Sequence, residues 1–252
     1  MQSKIKTKIV PDYEAMSQYC ADLVEECVRE KPDSLLCFPA GSTAIRTFEI
    51  LRERSKEGRI DFSRTNFVAL DEWLGLSEEA EEEDCTHFMR KNLYDPLDVS
   101  EDRLCLFDVH ASDYAKECRK IEDFIAVHSG IDLMLLGVGM NGHLGLNEPG
   151  SSFDSVTRVV ELSEVTKKVG QKYFTHPTKL TKGITIGISH MFQTKSVVLQ
   201  VSGEHKQEIM KKIYEGPLTE EVPATVFRLL PGGMIVADQA AAKQVRNHED
   251  EI

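Results

Sequence analysis

Apolar residues in this chain fall into short continuous runs, separated by stretches whose apolar positions recur with helical spacing. Ser34-Leu-Leu-Cys-Phe38, Asn66-Phe-Val-Ala-Leu70, Asp132-Leu-Met-Leu-Leu136, Gly183-Ile-Thr-Ile-Gly-Ile188, Ser196-Val-Val-Leu-Gln-Val201 and Gly233-Met-Ile-Val-Ala-Asp238 are each too short for a helix. Their composition suits strands buried on both faces. Residues 4–10 alternate and predict an edge strand. Between the runs, residues 12–30 predict an amphipathic helix with Met16, Tyr19, Leu23, Cys27 and Val28 on one face, broken by Lys31-Pro-Asp33. A second helix carries Ile45, Phe48 and Leu51 inward. Others are expected over 86–93 and 113–127, with a short one at 240–252. This alternation predicts an α/β fold: a single Rossmann-like domain over 1–252, with a mostly parallel sheet and helices on both faces. No repeat, low-complexity segment or linker divides it.

The stretches that follow the strands change the picture from fold to chemistry. After the run at 34–38 comes Pro39-Ala-Gly-Ser-Thr43, a sharp turn into a helix. The amides of Gly41, Ser42 and Thr43 would be unpaired there, as in a phosphate cradle. An ordinary strand–helix turn capped by Ser42 or Thr43 fits the same residues equally well. The run at 66–70 ends in Asp71-Glu72-Trp73, two carboxylates beside the only tryptophan. The acidic residues Glu78 to Asp84 read as a solvated, flexible loop, distinct from that pair.

The run at 132–136 empties into Gly137-Val-Gly-Met-Asn-Gly-His143-Leu-Gly-Leu-Asn-Glu148-Pro-Gly150. Glycine permits positive φ and close backbone approach, so a tightly folded loop is expected, presenting Asn141, His143, Asn147 and Glu148. Gly137 to Gly142 spells the dinucleotide-binding G-x-G-x-x-G. That motif needs a helix to start at the loop, and the glycines and proline after His143 prevent one. Residues 151–182 are polar, broken by Pro177, and form a candidate lid over the site. After 196–201, Ser202-Gly-Glu-His-Lys206 opens a helix and places a lysine where it could grip a phosphate.

Composition narrows the possibilities. The chain has 252 residues, 41% of them hydrophobic, enough for one sizeable core. A net charge of −12 argues against nucleic acid or an anionic membrane as partner. No run is long enough to span a membrane, and the first ten residues lack the apolar core of a signal peptide, so a cytoplasmic location is expected. The six cysteines contain no C-x-x-C pair; Cys37, Cys105 and Cys118 lie among apolar or helical neighbours, as reduced thiols do. His87, His110 and His128 are scattered without metal-ligand spacing, and no metal site is expected.

Taken together, Pro39-Ala-Gly-Ser-Thr43, Leu70-Asp-Glu-Trp73, the loop from Gly137 to Gly150 and Gly203-Glu-His-Lys206 make the chain resemble the glucosamine-6-phosphate deaminase family. Within it, the galactosamine-6-phosphate isomerase/deaminase branch is the nearer likeness. The resemblance implies isomerisation with deamination of a 2-amino-2-deoxyhexose 6-phosphate to a ketohexose 6-phosphate and ammonia, isomerase and hydrolase chemistry without a cofactor. It implies His143 as the proton donor and acceptor at the ring oxygen, with Glu148 and Asn141 holding its tautomer and orientation. Asp71 would carry the proton between C2 and C1, with Glu72 in a supporting role. Gly41, Ser42, Thr43, Lys206 and Lys172 would bind the phosphate.

Three departures from the family pattern stand out. Ala40 replaces a threonine, which removes one hydroxyl. Lys172 falls where the better-known branch has an arginine, offering a point charge in place of a bidentate fork. Asn141 replaces the aspartate of some members. The partner implied is the small hexosamine phosphate; a homo-oligomer is compatible with the sequence, which carries no signature of subunit contacts. Two other functions fit parts of the pattern: 6-phosphogluconolactonase, which shares the fold and a similar loop but needs no base at C2, and a sugar-phosphate-binding regulator without catalysis.

Overall fold

A computed structural model describes residues 5–245. The chain opens with β1 (Lys6–Val10), α1 (Tyr13–Glu30), β2 (Leu35–Phe38) and α2 (Ile45–Lys56). β3 (Asn66–Ala69) runs almost directly into β4 (Asp71–Leu74), followed by α3 (Glu78–Glu81) and α4 (Cys85–Met89). Next come β5 (Leu104–Cys105), α5 (Tyr114–Val127) and β6 (Leu133–Leu136). Beyond the glycine loop lie β7 (Arg158–Glu161), α6 (Glu164–Gly170), β8 (Lys182–Thr185) and α7 (Ser189–Gln193). The chain continues with β9 (Ser196–Val201), α8 (Gln207–Glu215), β10 (Gly233–Asp238) and α9 (Gln239–Ala242).

Seven strands form one sheet in the order β1-β10-β9-β6-β2-β3-β5, with every neighbouring pair parallel. The continuous apolar runs are explained by burial on both faces. On β2, Leu35 and Cys37 enter one core cluster while Leu36 and Phe38 enter the other; Met134 and Leu136 alternate in the same way with Leu133 and Leu135 on β6. One cluster takes in α5 and α8, the other α1 and α2, so helices cover both sides.

Strand order locates the site. From β2 the chain moves outward to β3 and β5; from its neighbour β6 it moves the opposite way to β9 and β10. The connections leaving β2 and β6 therefore part at their C-terminal ends and leave a crevice between them, where open α/β sheets bind ligands. The turn at 39–43 and the glycine loop are the two connections that bound this crevice.

Several expectations need correction. The run at 183–188 is not a strand of the parallel sheet: β8 pairs antiparallel with both β4 and β7 in a second, three-stranded sheet. Past Thr185, Gly187 crosses the backbone of Ser155 so closely that a Cβ would stand 2.1 Å from its carbonyl oxygen. Asp71-Glu72-Trp73 is likewise not the end of the strand at 66–70 but most of a separate strand, β4. The acidic residues at 78–84 are ordered too. Ser77 caps α3, Asp84 caps α4 by accepting the amide of His87 at 2.7 Å, and Glu83 accepts from Thr175. Along α1 the buried face runs through Met16, Ser17, Cys20, Ala21, Val24 and Val28, with Tyr19, Leu23 and Cys27 flanking it. Small side chains let this helix approach the sheet, which a count of large apolar residues overlooks. The expected edge strand at 4–10 is β1, paired on one side with β10. Of the helix expected at 240–252, α9 covers the start; residues 246–252, like residues 1–4, lie outside the described ones.

The second sheet, α6 and the segment up to Leu180 pack over a third apolar cluster of Trp73, Ala80, Cys85, Leu146, Leu162, Phe174 and Leu180. The candidate lid at 151–182 thus sits on β4 and the glycine loop, roofing the crevice.

Candidate active site

A cavity of about 430 Å³ opens at the C-terminal ends of β2, β3, β6 and β9. Its walls include Gly41, Ser42 and Thr43 from the turn after β2, Asp71 from β4, and His143 from the glycine loop. Lys172 reaches it from the candidate lid and Lys206 from the segment leading into α8. Asp71 and His143 therefore face a common space, together with both lysines and the turn.

The glycine loop is shaped around one imidazole. Gly139 lies against the ring of His143: a Cβ there would stand 2.3 Å from Cε1 and 2.5 Å from both ring nitrogens. Gly142 adopts φ +91°, a conformation open to glycine, where a side chain would also strike Val222. The loop is closed by hydrogen bonds from the Gly139 amide to the His143 carbonyl and from the Gly142 amide to the Gly139 carbonyl, each 3.0 Å. Asn147, wholly buried, donates to the carbonyl of Leu144 within the loop and to that of Ile186, just past β8, each at 2.9 Å.

Behind the imidazole lies a polar network. Asn141 does not touch the ring. Its Oδ1 accepts the backbone amide of His143 at 3.2 Å, and its Nδ2 donates to Oε2 of Glu148 at 2.9 Å and to Oγ of Ser163 at 3.1 Å. Oε2 of Glu148 is 3.7 Å from Nδ1 of His143, outside hydrogen-bond range though close enough for ion pairing. The nearer partner of Nδ1 is the hydroxyl of Thr166 on α6, at 3.1 Å. Burial lowers the pKa of His143, the neighbouring Glu148 raises it and Lys206 lowers it; the net direction is downward. Burial thus favours the neutral imidazole.

Asp71 lies against Gly145, whose φ of +59° turns the loop past the carboxylate. Burial, reinforced by Glu72, raises its pKa to about 7. Such a carboxylate exchanges a proton readily near neutrality. Glu72 faces the other way, consistent with the alternation of a strand. Its carboxylate accepts from the amides of Trp73 at 2.8 Å, Cys85 at 3.0 Å and Thr86 at 2.7 Å, and from the Thr86 hydroxyl at 2.7 Å. Glu72 therefore ties β4 to the start of α4, and it does not line the cavity. Burial and Asp84 push it up to about 7, against those donors.

The remaining wall is cationic in spite of the acidic whole. Lys206 Nζ donates to the Val138 carbonyl at 2.7 Å; burial and Lys172 lower its pKa to about 8. Residues Ser42–Ala44 form a single 3₁₀ turn leading into α2, with Gly41 as its N-cap and no side chain capping it. Ser42 and Thr43 are thus not the caps; the amides that begin the turn are left to whatever occupies the cavity. Tyr13 braces the turn from α1, donating to the Ser42 carbonyl at 3.3 Å and accepting from the Arg46 amide at 3.2 Å. Tyr173, His205 and Cys85 also line the cavity.

Of the residues singled out from the sequence, Gly41, Ser42, Thr43, Asp71, His143, Lys172 and Lys206 meet at the cavity. Asn141 and Glu148 stand behind His143, and Glu72 stands apart. Sequence reasoning missed Ser163 and Thr166. A faint signal existed, since Ser163-Glu164 followed by helical spacing reads as a helix start, but nothing local says that this helix meets His143. Among the described residues no group of three His, Cys, Asp or Glu side chains is placed to hold a metal ion.

Comparison with known proteins adds the lineage. Residues 12–234 match the family described as glucosamine-6-phosphate isomerases/6-phosphogluconolactonase. The glucosamine-6-phosphate deaminase of Thermoanaerobacter pseudethanolicus is 36% identical over 246 residues, covering 97% of each chain. The structure of a monomeric glucosamine-6-phosphate deaminase superposes with a TM-score of 0.90 at 32% identity, covering 95% of this chain and 99% of that one. A 6-phosphogluconolactonase from Trypanosoma cruzi aligns with a TM-score of 0.77 at 20% identity over 98% and 99% of the two chains, a likeness of fold alone.

Proposed function

The chain belongs to the family of glucosamine-6-phosphate isomerases and 6-phosphogluconolactonases, and we propose that it converts an amino-sugar 6-phosphate, glucosamine 6-phosphate first, to the ketohexose 6-phosphate and ammonia. The observation that carries this reading is that Asp71 and His143 face one cavity whose remaining wall holds Lys206, Lys172 and the uncapped turn at 41–43.

The phosphate sits among the amides after Gly41 and the two ammonium groups, which places the sugar ring between His143 and Asp71. His143 opens the ring by giving the ring oxygen a proton and taking the one lost by the anomeric hydroxyl. The substrate's ammonium gives a proton to the carbonyl oxygen at C1 as Asp71 removes the C2 proton, forming an enolamine; Asp71 then returns its proton to C1, leaving an iminium at C2. Water adds to that carbon and ammonia departs, the hydrolytic half of the reaction. One carboxylate with a pKa near 7 serves both transfers, since it is basic enough to accept the proton and acidic enough to give it back. The segment at 151–182 acts as a lid over the bound sugar phosphate; Thr166, Lys172 and Tyr173 reach the cavity from it.

Lactone hydrolysis asks nothing of a buried carboxylate with a raised pKa, so Asp71 favours the isomerase over the lactonase. The intact arrangement of Asp71, His143 and Glu148 likewise speaks against a regulator without catalysis. Six free cysteines, four of them buried, suit a reducing, cytoplasmic setting; no described helix is long and apolar enough to cross a membrane. The test is ammonia release from glucosamine 6-phosphate and galactosamine 6-phosphate, side by side, with 6-phosphogluconolactone hydrolysis as the third arm. Ammonia from neither sugar would overturn the proposal.

A further inference from the structure

We propose that a directed chain of hydrogen bonds from Asn141 through Ser163 to Thr166 holds His143 in the tautomer that carries its proton on Nε2. Thr166 is thus a positioning residue, and the lid helix α6 that bears it sets the acid–base group of the site.

The direction of each bond follows from counting donors and lone pairs. Asn141 Oδ1 accepts the His143 amide, which turns its Nδ2 towards Glu148 and Ser163. The two hydrogens of that nitrogen go one to each. Ser163 Oγ also accepts the Thr166 amide at 3.2 Å, as the N-cap of α6. With both its lone pairs engaged, Ser163 has one hydrogen left, and it points to Thr166 Oγ1 at 3.1 Å. Thr166 then gives its own hydrogen to Nδ1 of His143, 3.1 Å away. A ring nitrogen that accepts carries no proton, so in a neutral imidazole the proton sits on Nε2. Nε2 has no hydrogen-bond partner in the protein among the described residues and belongs to a side chain lining the cavity.

The reverse arrangement is unfavourable. If Nδ1 carried the proton, Thr166 Oγ1 would accept from both Ser163 and His143, and its own hydrogen would have no protein partner among the described residues. Glu148 cannot substitute: it stands 3.7 Å from Nδ1 and already accepts from Asn141 and from the Ser163 amide. The amide at position 141 is what starts the chain. A carboxylate there could only accept, would draw the Ser163 hydrogen to itself, and would release Thr166 from its direction. An Nε2–H imidazole is the form that can hand a proton to a sugar ring oxygen in the cavity, so this inference deepens the reading given above and rests on it only for its kinetic arm.

The experiment uses the full chain labelled with ¹⁵N-histidine, with the resonances of His143 assigned by comparison with His143→Gln. Long-range ¹H–¹⁵N correlation at neutral pH should show the Nε2–H pattern for His143 in the parent and in Thr166→Ser. Thr166→Val and Asn141→Asp should lose it. Kinetically, Thr166→Val should lower kcat about ten- to a hundred-fold while KM stays within about two-fold, and Thr166→Ser should restore most of the loss. An Nδ1–H pattern in the parent, or an unchanged pattern in a folded Thr166→Val, overturns the proposal. If Thr166→Val fails to fold, the parent and Thr166→Ser spectra still decide. A parent that shows the Nε2–H form but releases no ammonia from either sugar defeats the functional reading and leaves the tautomer standing.

Discussion

Gly139 and His143 occupy the space of a single side chain: the imidazole rests on the glycine so closely that a methyl group at position 139 would overlap the ring at 2.3–2.5 Å. The contact is with the catalytic candidate itself, and the glycine carries no positive φ, so the constraint is one of approach and not of backbone conformation. Gly139→Ala should therefore displace the imidazole while leaving the loop backbone accessible to alanine. Displacing a reacting group by about 1 Å costs about a hundred-fold in rate. Steady-state kinetics should show a fall in kcat of that order, with a thermal unfolding midpoint close to the parent's.

Asp71 sets stability against chemistry. Its carboxyl has an ordinary value of 3.8 and is raised by burial and Glu72 to about 7. A group raised in this way supports the fold below its ordinary value and loses that support as pH climbs through its folded value. Asp71→Asn cannot ionise and escapes the loss. It should match the parent's unfolding midpoint at about pH 4 and exceed it increasingly up to about pH 8. The same variant should abolish isomerisation, because an amide cannot take the C2 proton; loss of hydrogen exchange at C2 of the substrate would show this directly.

Two groups bound the active pH range. Asp71 must be ionised to act as a base, so kcat/KM should fall about tenfold per pH unit below about 7. Lys206, lowered to about 8 by burial and Lys172, loses its charge above that value, and phosphate binding weakens as it does. The profile should be bell-shaped, with the alkaline limb appearing in KM. Lys206→Arg keeps its charge throughout and should move that limb to higher pH.

Glu72 should prove structural. Its carboxylate takes four donors from Trp73, Cys85 and Thr86. Glu72→Ala leaves buried amides without an acceptor, at a cost of about 1–3 kcal/mol. Denaturant unfolding should show that loss, whereas a variant that folds at low temperature should retain KM for the sugar phosphate.

Local pattern disclosed much of the architecture. The apolar runs at 34–38, 66–70, 132–136, 196–201 and 233–238 are strands of the parallel sheet because strands buried on both faces have no polar alternation to obscure them. The run at 183–188 has the same composition and joins a different sheet, since composition reports burial and not the neighbour that provides it. Asp71 and Glu72 illustrate the same limit on a smaller scale. Adjacent in sequence and alike in chemistry, they are sent to opposite sides of β4 by the strand's two-residue period, one into the cavity and one onto the amides of α4.

Sequence by itself determined that the chain has an α/β fold and pointed to the loop from Gly137 to Gly150 as a candidate for its chemistry, because glycines, an imidazole and a carboxylate at the end of a buried strand are local facts. It also placed Gly41, Ser42, Thr43 and Lys206 at strand ends, where the ligand crevice must lie. Only the tertiary structure decided that Thr166, and not Glu148, is the hydrogen-bond partner of Nδ1 of His143, and that Asn141 bonds to Ser163. These bonds join residues 22 and 23 positions apart. Their formation depends on how the segment at 151–182 packs over Trp73 and Leu146, and that packing is a property of the assembled core.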